Sequence, residues 1–475
     1  MKKNGFFLFL VGSVLTVNAQ KSEIEWVSST QNSSWVNESK HISLSSKDTV
    51  NSIQILSDKK LQSIDGFGGC FNELGWEALV SLPETKKQSI LKELFTPTGA
   101  NFSYCRMPVG SSDYSLSYYS FDDVPEDFTM RNFNIDRDRY ILIPYIKEVL
   151  KIRKDLRIWA SPWSPPAWMK VNKHYAMRGG PVKKSNISND MDSAKNILNN
   201  ATAFIMQESY LKAYALYLSK FIKAYEKEGV KIDGLDVQNE IAYSLPWPSC
   251  TWRPEDLSFF IGKHLGPRFK ADSIATHIWL GTINYGEPDY VRTILNNKDA
   301  AQYISGVGFQ WAGKKAIGTI IKEYPQYRYM QTESECGDNE NDWHSAEHTW
   351  DLMKLYLSAG ANSYMYWNMV LEKKGLSSWD YAQNMLVSID TVTKEVVYNP
   401  EYYLMKHLSH YVLQGAHLVQ TSGYNDCLAF VNDNGTTVLL VANPLSTSKK
   451  VNVVVNGKTI GAEMKPKSFN TISIK

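Results

Sequence analysis

The chain has no long hydrophobic run and no excess of charge of one sign. The apolar stretch Phe6–Val17 ends after about 12 residues, short of the ~20 that cross a bilayer. Basic and acidic residues number 51 and 49, a net charge of +2, so neither a nucleic-acid nor an anionic-membrane partner is expected. Cysteine is also scarce. The five residues Cys70, Cys105, Cys250, Cys336 and Cys427 are odd in number and widely scattered, which excludes a disulfide scaffold. No Cys-x-x-Cys pair is present to make a zinc ribbon or a redox motif. No Gly-x-Gly-x-x-Gly opens a βα unit, and there is no low-complexity tract or solenoid repeat.

What is present begins at the amino terminus. Lys2 and Lys3 precede the apolar stretch, and Val17-Asn18-Ala19 then Gln20 follow it. This is the pattern of a cleaved secretory signal over residues 1–19, and it predicts a secreted or periplasmic protein with no membrane insertion in its mature form. No cysteine follows the stretch to carry a lipid anchor.

From residue 64 to 405 short β-like runs alternate with amphipathic segments. The expected strands are Ile64–Gly69, Phe102–Pro108, Arg157–Ser161, Gly234–Gln238, Ile278–Ile283, Ile304–Phe309, Arg328–Thr332 and Ser363–Trp367. Between them Leu211, Tyr214, Ala215, Leu218, Phe221, Ile222 and Tyr225 recur at helical spacing within Glu208–Glu228, and Ser345–Leu357 reads as a helix running toward Gly360. Eight such alternations predict an α/β fold, a (β/α)₈ TIM barrel. The Gly66-Phe67-Gly68-Gly69 run reads as tight backbone packing, not a phosphate cradle. Residues 20–63 and 406–475 read instead as strands and hairpins, with Asn456-Gly457 a strong two-residue turn. The two ends are expected to build one accessory β-sandwich.

Barrel enzymes carry their chemistry where strands exit. Strand four runs into Asn239-Glu240, and strand seven into Glu333-Ser334-Glu335. These strands lie on opposite sides of an eight-membered ring, so the two carboxylates face each other across its mouth. Cleavage of a glycosidic bond with retention needs such a pair, about 5–5.5 Å apart: one carboxyl protonates the leaving oxygen while the other attacks the anomeric carbon. The acid needs a raised pKa, and the nucleophile needs donors or a cation. Arg106, leaving strand two, is the candidate cation. Asn239 is placed to bond a sugar 2-hydroxyl. Spacing alone leaves Glu333 and Glu335 as alternative nucleophiles. Trp163, Trp311 and Trp367 at strand exits fit stacking on a pyranose, while Trp168 reads as loop packing. His344-Ser345-Ala346-Glu347-His348 matches the His-x-x-Glu-His pattern of some zinc proteases, but it opens a helix on the outer ring.

The stretches Asp65-Gly66-Phe67-Gly68-Gly69, Cys105-Arg106-Met107-Pro108, Ala160 through Trp168, Gln238-Asn239-Glu240, Thr332-Glu333-Ser334-Glu335-Cys336-Gly337, Tyr366-Trp367-Asn368 and Asn399-Pro400 together resemble glycoside hydrolase family 30. The resemblance covers most of the chain. It implies Glu240 as acid/base and Glu333, not Glu335, as nucleophile. It implies Asp113, Trp163, Asn239 and Trp367 as sugar-binding residues, with Asn384 a further one. A barrel with a sandwich made from both chain ends is the implied fold, and no metal or organic cofactor is required. Where the glucosylceramidase branch looks like His-Trp-Tyr after strand six, this chain has Gln310-Trp311-Ala312. The Trp-Asn-Met-Val run at Trp367–Val370 is similar to the microbial β-1,6-glucanase branch. A polysaccharide substrate, β-1,6-glucan first, is therefore expected over glucosylceramide or a β-glucoside, β-xyloside or β-fucoside. A non-catalytic glycan-binding protein is the alternative outside the enzyme class.

Overall fold

The computed structural model describes residues 24–45, 52–180 and 188–475. The expected signal segment lies outside the described residues. Eight parallel strands close into a barrel: Gly66–Cys70 (β1), Tyr104–Pro108 (β2), Arg157–Ser161 (β3), Gly234–Asp236 (β4), His277–Ile283 (β5), Ile304–Gln310 (β6), Arg328–Glu333 (β7) and Ser363–Asn368 (β8). All eight are the expected ones, each within two residues at either end. The widest departures are at β1, β2 and β4; β4 stops at Asp236 because the chain turns there to bring Asn239 and Glu240 over the barrel mouth.

The barrel is filled, not hollow. Tyr104, Trp159, Trp279, Met330 and Met365 form a separate buried cluster inside it. Such large rings fit because glycine stands opposite them. A Cβ on Gly234 would lie 2.5 Å from the Trp159 ring, and one on Gly306 would lie 2.4 Å from the Trp279 ring. At the lower rim Arg157 pairs with Asp233 at 2.7 Å and Arg328 with Asp65 at 2.5 Å, the first tying neighbouring strand starts and the second reaching past the start of β8.

The outer helices form where the apolar period predicts. In Glu208–Lys227 every expected face residue from Leu211 to Tyr225 is buried. The helix Trp343–Ala359 is capped by Asp342, whose carboxylate accepts from the Ser345 amide at 2.9 Å. It ends at Gly360, which takes the left-handed conformation at φ 118°.

The two chain ends interleave in one ten-stranded sheet folded over its own core. Ile24–Thr30 pairs with Ser468–Ile474, and Ile53–Ser63 pairs with His417–Ser422. Trp26, Ile53, Val441, Val453, Ile460 and Ile472 are among the residues of that core. The Asn456-Gly457 turn joins Lys449–Val455 to Lys458–Met464 as expected. No helix among the described residues is long and apolar enough to cross a membrane. All five cysteines are free and buried.

Candidate active site

Strand exits β2, β4, β6 and β7 meet at one point. Arg106, fully buried in the middle of β2, donates from Nη1 to Oε2 of Glu333 at 2.9 Å and to the Thr332 carbonyl at 3.2 Å. Its other amino group, Nη2, donates to Asn239 Oδ1 at 2.6 Å and Ser161 Oγ at 3.0 Å. One guanidinium thereby fixes both the strand-seven glutamate and the asparagine beside the strand-four glutamate. The fork geometry suits arginine and not lysine.

Glu333 has two more donors. Trp311 Nε1 reaches its Oε1 at 3.1 Å, and Gln310 Nε2 reaches its Oε2 at 3.3 Å. Sequence reasoning offered Trp311 as a stacking platform; the structure gives its indole N–H to a carboxylate. Trp311 manages this with φ at 47°, and Glu240 across the cleft has φ 49°. Non-glycine residues take that conformation at a cost of ~1–3 kcal/mol, and such strain concentrates at functional sites.

The electrostatics separate the two glutamates. Burial pushes both carboxyls above their ordinary range. At Glu333 the Arg106 charge and the Trp311, Arg106 and Gln310 hydrogen bonds pull against burial. At Glu240 burial is reinforced by the negative charges of Glu333 and Asp113, and its carboxyl is pushed up to about 8. Of the pair, Glu333 gives up its proton first.

A cleft of about 560 Å³ opens over this centre, with Asp113, Trp163, Glu240, Trp311 and Glu333 on its walls. Trp163 stacks on Trp367, ring centroids 5.2 Å apart, and Arg106 lies over both rings. Trp367 Nε1, Asp113 Oδ1 and Asn384 Oδ1 are buried polar atoms with no protein partner among the described residues. Asn239 spends its carbonyl oxygen on Arg106 and Thr282, the latter at 3.0 Å. Asn384 is placed differently. It is buried behind the cleft wall, with Nδ2 donating to Glu401 Oε1 at 2.8 Å, and its neighbour Gln383 lines the cleft instead.

Glu335 is held apart from the reacting centre. It pairs with Lys314 and, at 3.1 Å, with His348, and its carboxyl is lowered even though burial works the other way. The same contacts take His348 out of the His-x-x-Glu-His pattern. His344 is exposed, and no group of metal-ligating side chains able to hold an ion is found among the described residues.

Two residues of the site escaped sequence reasoning. Tyr381 donates to Asp113 Oδ2 at 2.5 Å and packs against Trp247, ring centroids 4.9 Å apart, and both rings line the cleft. Nothing local marks either as functional.

The family model for the glycosyl hydrolase family 30 TIM-barrel domain matches residues 64–412, and that for the family's β-sandwich domain matches 415–472. A putative glucosylceramidase of Caenorhabditis elegans is 28% identical over 426 residues, 84% of this chain and 77% of that protein. An endo-1,6-beta-D-glucanase of Neurospora crassa is 25% identical over 413 residues, 82% of this chain and 81% of that one. The solved structure of an endo-beta1,6-glucanase superposes with a TM-score of 0.80 at 24% identity, covering 95% of this chain and 99% of that one. With both of its domains matched in order and its barrel and sandwich built as described, this chain is a glycoside hydrolase belonging to family 30.

Proposed function

We propose that the protein is a retaining β-glycosidase that cuts β-1,6-linked glucose polymers. The observation that carries the mechanism is the asymmetry across the cleft: Glu333 holds three donors, whereas Glu240 faces two negative charges and keeps its proton. In the first step the Glu333 carboxylate attacks the anomeric carbon, the bond to the leaving oxygen breaks, and Glu240 gives that oxygen its proton. In the second step Glu240, now a carboxylate, takes a proton from water. The water oxygen displaces Glu333 from the anomeric carbon. Trp163, Trp367, Asp113 and Asn239 hold the sugar ring that is transferred.

The substrate reading is supported by the glucanase relatives and by Gln310 in the place where the glucosylceramidase branch looks like histidine. The higher identity to the nematode protein favours glucosylceramide as the second reading. The amino-terminal segment supports export, with the mature chain starting at Gln20; amino-terminal sequencing of the secreted protein checks it. Hydrolysis of pustulan, laminarin, xylan, glucosylceramide and aryl β-glycosides, followed by NMR for the anomer first released, tests the rest. Release of the β-anomer from pustulan is the expected result. The α-anomer overturns retention, and turnover of glucosylceramide alone overturns the polymer.

A further inference from the structure

Asp113 reaches the cleft from the chain that follows β2, and Tyr381 reaches it from the segment between the short strands Val370–Glu372 and Val387–Ile389. Both side chains are buried. The two oxygens of the Asp113 carboxylate stand in different surroundings. Oδ2 accepts from the Tyr381 hydroxyl at 2.5 Å, whereas Oδ1 is buried with no protein partner among the described residues. A turn of the carboxylate about its Cβ–Cγ bond would break the Tyr381 bond, so that bond fixes which oxygen is left over. The tyrosine is itself held. Its ring packs against Trp247 at 4.9 Å and meets the edge of Tyr114 at 5.9 Å. Its carbonyl accepts from the Ser377 amide at 2.8 Å, and the Tyr114 hydroxyl donates to the Gly375 carbonyl at 2.9 Å.

We infer that Tyr381 is a positioning residue for recognition of the transferred sugar: it holds Oδ2 of Asp113, so that Oδ1 is left to accept one hydroxyl of that sugar. The role rests on the reading above in which Asp113 is one of the groups that hold the ring. A carboxylate accepts a hydroxyl proton only while it stays ionised. Burial works against ionisation of Asp113, and the negative charge of Glu333 adds to the effect. The Tyr381 hydrogen bond pulls the other way. Tyr381 keeps its own proton, because burial and the Asp113 charge push its ionisation well above the ordinary tyrosine range. One bond therefore sets both the direction and the charge of the acceptor. A sugar that lacks the matching hydroxyl leaves a buried carboxylate oxygen unpaired, which discriminates more sharply than an apolar contact does. Tyr381 thereby acts on the choice of sugar through Asp113.

The test pairs Tyr381→Phe, which keeps the ring against Trp247 and Tyr114 and deletes only the hydroxyl, with Asp113→Asn. Both are assayed on the aryl β-glycoside that the parent cleaves fastest and on its analogues lacking one sugar hydroxyl each. The analogue on which Asp113→Asn costs least identifies the hydroxyl that Asp113 accepts. Tyr381→Phe is expected to lower kcat/KM by about tenfold on the intact glycoside, the effect of one hydrogen bond to a charged group, and by less than about twofold on that same analogue. On the other analogues the loss should persist. A loss equal on every analogue, or none on the intact glycoside, overturns the positioning role and leaves Asp113 a sugar ligand. If Asp113→Asn costs the same on every analogue, Asp113 accepts no hydroxyl and the role of Tyr381 falls with it. If only polymers are cleaved, Tyr381→Phe/Asp113→Asn takes the place of the analogues. Its kcat/KM should equal that of Asp113→Asn, and additive losses overturn the role. A fastest glycoside other than the glucoside would tell against the glucan reading alone.

Discussion

Nη1 of Arg106 stands 2.9 Å from Oε2 of Glu333, and both groups are buried at the mouth of the barrel. The guanidinium is surrounded by Glu333, Asn239, Ser161 and the Trp163 and Trp367 rings, so its charge is desolvated and its direction fixed. A lysine keeps the charge and loses the fork. Arg106→Lys is expected to lower kcat/KM by about 10²–10³, the usual cost of removing one preorganised electrostatic group. Because the Arg106 charge lowers the Glu333 carboxyl, its removal in Arg106→Gln also moves the acid limb of the pH–rate profile to higher pH. A pH series on an aryl glycoside reads both. An unmoved acid limb would separate Arg106 from the ionisation of Glu333.

The two glutamates differ in what a good leaving group can rescue. Glu333→Gln removes the atom that bonds the anomeric carbon, so turnover is lost on every substrate. Glu240→Gln removes the proton donor, and an activated aryl glycoside that needs little protonation should keep about 10²-fold more of its rate than a polymer does. Azide added to the Glu240 variant should restore turnover by replacing water in the second step. Glu335→Gln is expected to stay active, since Glu335 is bound to Lys314 and His348. Loss of activity in Glu335→Gln with survival of Glu333→Gln would reverse the nucleophile assignment.

The carboxyl of Glu240, pushed up to about 8, sets both activity and stability. The first step needs the proton, so kcat/KM falls as pH rises through about 8. The same shift has a sign for folding. The folded chain binds this proton more tightly than the unfolded chain does, so the stability it lends is full below the ordinary carboxyl range. That stability is lost progressively as pH rises toward the folded value. Glu240→Gln should therefore melt a few degrees above the parent at pH 9 and level with it at pH 4. Thermal unfolding at the two pH values measures it, and a higher melting point of the parent at pH 9 would contradict the shift.

How much of this was legible before the structure depended on chain distance. The barrel strands and the helix Glu208–Lys227 announce themselves through local period, and Glu240 and Glu333 follow from reading strand exits. Strand period alone left Glu335 beside Glu333; the resemblance to family 30 favoured Glu333, and the structure adds that Lys314 and His348 hold Glu335. Tyr381 reaches Asp113 across 268 residues, and no pattern within either segment signals the contact. Trp311 was visible as an aromatic at a rim, yet its left-handed backbone and its bond to Glu333 depend on how β6 and β7 lie together. Asn384, implied as a sugar ligand by the resemblance, gives its Nδ2 to Glu401, a contact 17 residues along the chain that no local pattern signals.

The outer wall of the cleft carries Asp338 and Glu340 beside Glu335, whose charge is offset by Lys314 and His348. A wall with an excess of one sign of charge repels ligands of that sign, and salt weakens the effect over a Debye length of ~10 Å at 0.1 M. Glycans bearing uronate groups should therefore be cut at least about tenfold more slowly than neutral polymers of the same backbone at low ionic strength. Part of the gap should close at 0.5 M NaCl. Glu340→Gln, which removes one wall charge without touching Glu240 or Glu333, should narrow it further. The comparison is made on one backbone before and after carbodiimide reduction of its uronates. Equal rates on the two forms would mean that the wall carboxylates do not face the bound chain, and that selectivity lies with the rings around Trp247 and Tyr381 instead.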